Sequence, residues 1–109
     1  MTQIDTLIQE LIKFRDERDW QQFHNSKDLA LAISIEASEL NELFLWKNNE
    51  DVNKEKLKYE LADTMAYCLL LAEKHGINIE QAIREKISLN AQKYPIEKSK
   101  GTATKYTEF

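Results

Sequence analysis

The chain has 109 residues, a single cysteine and a formal net charge of −4 at pH 7. That length suits one domain, the lone Cys68 excludes an internal disulfide framework and fits a reducing compartment, and the acidic balance argues against nucleic acid as a partner. The longest apolar run, residues 66–72, falls far short of the ~20 residues that cross a bilayer. With a polar start and no apolar signal core, a cytoplasmic protein without a membrane partner is expected.

Two glycines, one proline and little strand-type alternation favour an all-α chain. Helix one is expected over residues 2–18, with Thr2 as cap and Asp5 as its capping-box partner. Its apolar stripe is Ile4, Leu7, Ile8, Leu11 and Ile12. A polar connection, residues 19–25, carries three rings: Trp20, Phe23 and His24. Helix two is expected from the Ser26 cap to about Trp46, followed by a polar turn over residues 47–52. Helix three should run from near Asn53 to Gly76, a residue suited to the position just past a helix end. Asn78 with Gln81 should cap helix four, and Pro95 should end it at Tyr94. Residues 1–95 would then form a helical domain. Residues 96–109 have no helical period, carry Lys98, Lys100 and Lys105, and form a basic tail that could serve as a flap over an anionic ligand.

The informative residues are acids in the wrong place. Glu36 and Glu39 lie three apart in helix two, and Glu60 and Asp63 three apart in helix three, so each pair shares a helix face. At about 100° per residue, Leu29, Ala32, Ile33, Leu40 and Leu43 cluster around Glu36. Leu57, Thr64, Tyr67 and Leu71 surround Glu60 in the same way. Both pairs interrupt stripes that should face the core, where charge is costly unless it is paired or binds a cation. A short turn should pack the two helices antiparallel and bring four carboxylates to one level. A divalent cation would relieve their repulsion. Hard oxygen donors suit Mg²⁺, with Mn²⁺ as a substitute. Neither the Glu-x-x-His pairs of di-iron bundles nor a zinc spacing is present. The plainer alternative is a non-enzymatic helical interaction module whose acids form boundary or interface salt bridges.

Two further groups stand out. Lys86, Asn90 and Lys93 share one face of helix four and could grip a polyphosphate, or could be a solvated edge. Trp20, His24, Trp46 and Tyr67 could stack on or read a nucleobase, or could cap the bundle core. No glycine-rich phosphate loop is present, which excludes a P-loop or dinucleotide fold. Helix three is apolar nearly all round, with Met65 and Leu69 opposite the acidic face, so a partner subunit is expected to cover a second side.

Taken in order, the residues form a longer pattern: Trp20 and His24 as Trp-x-x-x-His; Glu36, Glu39 and Leu40 as Glu-x-x-Glu-Leu; Trp46; Glu60, Leu61 and Asp63 as Glu-Leu-x-Asp; Tyr67; Asn90; Lys93-Tyr94-Pro95; and the tail motifs Lys98 to Gly101 and Lys105 to Glu108. This pattern resembles the MazG-like all-α nucleotide pyrophosphohydrolases, in particular their short dCTP pyrophosphatase branch, over nearly the whole chain. The resemblance implies a four-helix MazG-like bundle completed by oligomerisation, as a dimer or as a tetramer built from two dimers. It implies hydrolysis of a nucleoside triphosphate to the monophosphate and pyrophosphate, with dCTP-like substrates favoured and a role in cleaning the nucleotide pool. Mg²⁺ would be held by Glu36, Glu39, Glu60 and Asp63, the base framed by Trp20, His24, Trp46 and Tyr67, and the phosphates met by Lys86, Asn90 and Lys93. Glu36 or Glu39 is the candidate proton acceptor for the attacking water.

Overall fold

Helix formation begins at Thr2. In a computed structural model that describes residues 1–109, the Thr2 hydroxyl accepts from the Asp5 N–H at 3.1 Å while the Asp5 carboxylate accepts from the Thr2 N–H at 3.0 Å. This closed capping box opens α1 (Gln3–Glu17). The helix ends with Asp19 in the left-handed region at φ 54°. The Asp19 N–H donates to the Asp16 carbonyl at 3.0 Å and the Trp20 N–H to the Arg15 carbonyl at 3.1 Å. This is the Schellman pattern of bonds, with aspartate where glycine is usual, and it folds Trp20 back over the last turn of α1.

A single 3₁₀ turn (Gln21–Phe23) leads to α2 (Ser26–Glu42). Its cap is Asn25 rather than Ser26: the Asn25 side-chain oxygen accepts from the Asp28 N–H at 2.9 Å. The two residue types cap about equally well, and Asn25 has the extended backbone that a cap requires. Ser26, one place inside, instead pairs its Oγ with His75 Nε2 at 2.8 Å. Asn25→Ala should therefore cost about 1 kcal/mol, read as a fall of about 4 °C in Tm; thermal unfolding followed by circular dichroism checks it.

The regular part of α2 stops at Glu42, short of the expected Trp46. Leu43, Phe44 and Leu45 donate to carbonyls three residues back, and Trp46 then turns the chain at φ 62°. The polar residues 47–50 supply no apolar stripe to reward further helix. Asn53 caps α3 (Lys54–Lys74), and Gly76 ends it at φ 65° as expected. Asn78 caps α4 (Ile79–Lys93), with Tyr94 at its end. The tail departs from the sequence expectation. It forms a short helix α5 (Ile96–Ser99) and a closing 3₁₀ turn (Tyr106–Glu108). Pro95 has the fixed φ that starts a new turn as readily as it ends the old one. No strand occurs in the chain, and no helix is long and apolar enough to cross a membrane.

The chain forms two compact units, Met1–Ile77 and Asn78–Phe109. In the first, α2 packs chiefly on α3, and α1 packs on α3. The Ser26–His75 bond ties the start of α2 to the end of α3, so the two run antiparallel. Leu29, Leu69, Leu70 and Ala72 form its buried core. Leu69 thus belongs to this core rather than to a second face, because the antiparallel hairpin also receives α1 on α3. Met65 is exposed, together with Leu31, Ile35 and Leu61. In the second unit Tyr94 meets Tyr106 and Phe109 edge-on, with ring centres 5.6 and 5.8 Å apart. The last residues are thereby tied to the end of α4.

Candidate metal centre and its adjoining cavity

The antiparallel packing of α2 on α3 brings Glu36, Glu60 and Asp63 together, each offering one carboxylate oxygen within 4.8 Å of the others. One oxygen of Glu36 and one of Glu60 are buried without any hydrogen-bond partner. No cationic side chain of the same chain forms an ion pair with any of the three. Glu39 lies outside this tight trio and is solvent-exposed, yet its carboxylate is close enough to act on the Glu36 carboxyl.

The electrostatics follow from this crowding. Burial, then the close approach of the Glu60 and Glu39 carboxyls, then the charges of Glu39 and Asp63 push the Glu36 carboxyl up to about 7. A group in this position keeps its proton near neutral pH unless a cation takes the proton's place. Three converging carboxylates, two of which also carry an orphaned buried oxygen, fit a hard divalent cation of the Mg²⁺ or Mn²⁺ type.

A cavity of about 150 Å³ opens beside Asp63. Trp20, His24 and Tyr67 line it, so three of the four aromatic candidates meet there. Trp20 is held at the rim by Phe14, edge-on at 5.8 Å, and the Arg18 guanidinium lies 3.6 Å from the Phe14 ring centre. His24 meets Tyr67 edge-on at 6.4 Å, and its Nδ1 is buried with no partner. Burial first, then the nearby Arg15 charge, holds the His24 imidazole below its ordinary value. At neutral pH it is therefore uncharged and has one nitrogen free to accept. Burial, then the charges of Glu36, Asp63 and Glu39, pushes the Tyr67 hydroxyl upward. The phenol thus stays protonated between the cavity and the acidic centre.

Trp46 does not join this cavity. It is 94% exposed and borders an open groove with Ser38, Asn41 and Phe44. Lys86, Asn90 and Lys93 stand exposed on α4 in the second unit, with the Lys93 ammonium 5.1 Å from the Tyr106 ring centre.

One cavity residue escaped the sequence reading. Arg15 is only 9% exposed and lines the cavity beside Trp20 and His24. The signal was present, because Arg15 continues the stripe Ile8, Leu11, Ile12 at helical spacing. A charge inside an apolar stripe is the same anomaly that marked the four acids.

Fold and site together define an all-α protein with a helix-hairpin carboxylate centre suited to a hard divalent cation. The MazG-like family model matches residues 31–109, and the chain belongs to the MazG-like family. It is similar to dCTP pyrophosphatase 1 of Mus musculus, 39% identical over 104 residues, and to that of Homo sapiens, 34% identical over 104 residues. In both matches 88% of this chain is covered, and the chain spans 61% of the relative's length. Its fold is similar to the crystal structure of a pyrophosphatase from Archaeoglobus fulgidus, with a TM-score of 0.81 and 35% identity. That match covers 87% of this chain and 94% of the other.

Proposed function

We propose that this chain hydrolyses a nucleoside triphosphate to the monophosphate and pyrophosphate, with dCTP-like substrates favoured. The convergence of Glu36, Glu60 and Asp63 with two orphaned buried oxygens carries the reading. The activity for which the relatives are named, dCTP pyrophosphatase, supports it.

Glu36, Glu60 and Asp63 would hold Mg²⁺, with Glu39 at the edge of the set. A bound divalent cation would neutralise phosphate charge and make water more acidic. Hydrolysis forms one bond from water oxygen to phosphorus and breaks the bridging P–O bond, so that pyrophosphate leaves. The water's proton needs an acceptor. Glu39 is the better placed of the two candidates, because it lies outside the converging trio and remains exposed. Trp20, His24 and Tyr67 would hold the base, with Trp46 available from its exposed turn. Lys86, Asn90 and Lys93 would offset charge on the phosphates.

The same reading includes a homo-oligomer, a dimer at least and a tetramer on the family pattern. Leu31 and Ile35 on α2 and Leu61 and Met65 on α3 are all exposed. Exposed apolar side chains of this kind favour self-association.

Incubation with each canonical dNTP and NTP, with and without Mg²⁺, tests the activity. Stoichiometric pyrophosphate and monophosphate are expected with Mg²⁺, fastest for dCTP, and neither product with EDTA. Release of orthophosphate, or no product from any nucleotide, would sink the reading.

A further inference from the structure

Arg15 is a buried cation with a single short-range partner. Its Nε donates to the neighbouring Asp16 carboxylate at 2.9 Å, and the side chain is 11% exposed against 49% for Asp16. A guanidinium carries five N–H donors in a rigid fork. The four on its two terminal nitrogens meet no protein acceptor and remain open to the cavities the side chain lines. A bound ligand that carries acceptor atoms can take those donors without displacing a protein partner. Arg15 lines two cavities. One is the aromatic cavity beside Asp63. The other, about 240 Å³, is also bordered by His24, Gln21 and Glu73. The Schellman turn fixes its position, since the Arg15 carbonyl accepts from Trp20 and so holds the guanidinium's helix turn against the tryptophan at the rim.

From this placement we infer that Arg15 is a specificity-determining residue, whose guanidinium fork selects a base presenting two adjacent hydrogen-bond acceptors. The inference rests on the pyrophosphohydrolase reading above. A cavity of about 150 Å³ matches the volume that takes one benzene-like ring, which favours a single-ring base. Among the single-ring bases, cytosine places N3 and O2 side by side as acceptors. A guanidinium fork engages such a pair with two parallel hydrogen bonds, as it does the acceptor pair of guanine in DNA. Uracil and thymine carry a proton on N3, so the same fork meets a donor and one of its N–H groups is left buried and unpaired. Selection therefore comes from an opposed donor as much as from a favourable contact.

The test compares dCTP, dUTP and 3-deaza-dCTP, in which the N3 acceptor is replaced by C–H, on the wild-type chain and on Arg15→Met and Arg15→Lys. Wild type should prefer dCTP over both others by about 5- to 150-fold in kcat/KM, the discrimination a bidentate pair supplies. In Arg15→Met the three substrates should converge, through loss of dCTP turnover relative to dUTP. Arg15→Lys keeps the charge but not the fork, and should recover little of the preference. The wild-type comparison of dCTP with 3-deaza-dCTP needs no variant and stands even if Arg15→Met folds poorly. Equal turnover of those two by wild type, or an unchanged dCTP preference in a folded Arg15→Met, would overturn the role of Arg15 alone. Absence of pyrophosphate from every nucleotide would remove the parent reading and this one with it.

Discussion

Asp63→Asn and Glu39→Gln are each expected to lower pyrophosphate release on the order of 10³-fold, with helical content and oligomeric state unchanged. Asp63 supplies one of the three converging oxygens, and Glu39 is the acceptor proposed for the water's proton. Neither change should harm folding, because each removes a negative charge from a cluster that pushes Glu36 up to about 7. Without cation, both variants should melt at or above the wild-type temperature. The pairing of lost turnover with retained or raised stability is the signature of a functional cluster. A variant that is equally inactive but unfolded would indicate a structural role, and full activity in a folded variant of either would remove the centre from the mechanism.

The stability of the cation-free chain should fall as pH rises from about 4.5 to about 7, and Mg²⁺ should reverse that fall. Glu36 has its ordinary value of 4.5 in the unfolded chain and is raised to about 7 in the folded one. Below pH 4.5 it is protonated in both states, so its contribution is fully present. Between the two values only the folded state holds the proton, so stability is lost with rising pH and levels off above 7. Other carboxylates titrate at the low end of this range, so the difference between wild type and Glu36→Gln isolates the effect. A divalent cation competes with that proton, so its stabilisation should grow with pH. It should approach about 2.7 kcal/mol when free Mg²⁺ is 100 times its Kd. Melting curves at pH 5 and pH 8, with Mg²⁺ and with EDTA, measure all of this. An Mg²⁺ shift of the same size at both pH values, or none, would count against cation binding by these carboxylates.

What the sequence determined by itself is local. Helix ends follow from short-range chemistry, in which a cap and its partner lie three residues apart, and Thr2, Asn53, Gly76 and Asn78 act where their types predict. The acidic centre was legible too, because a charge within an apolar stripe contradicts its own neighbours at helical spacing. The stop of α2 at Glu42 was not legible, since three residues of i−3 bonding differ from helix by a small change in backbone angle. Nor was the order in residues 96–109, where the closing turn is held by ring contacts to Tyr94 rather than by its own periodicity. Tertiary structure alone decided which members of each candidate set meet. It separated Glu39 from the three converging oxygens, left Trp46 in the open while gathering Trp20, His24 and Tyr67, and placed Arg15 among those rings. Spacing along one helix says which side chains share a face, but the partner of that face is set by packing between helices, and no single-helix period encodes it.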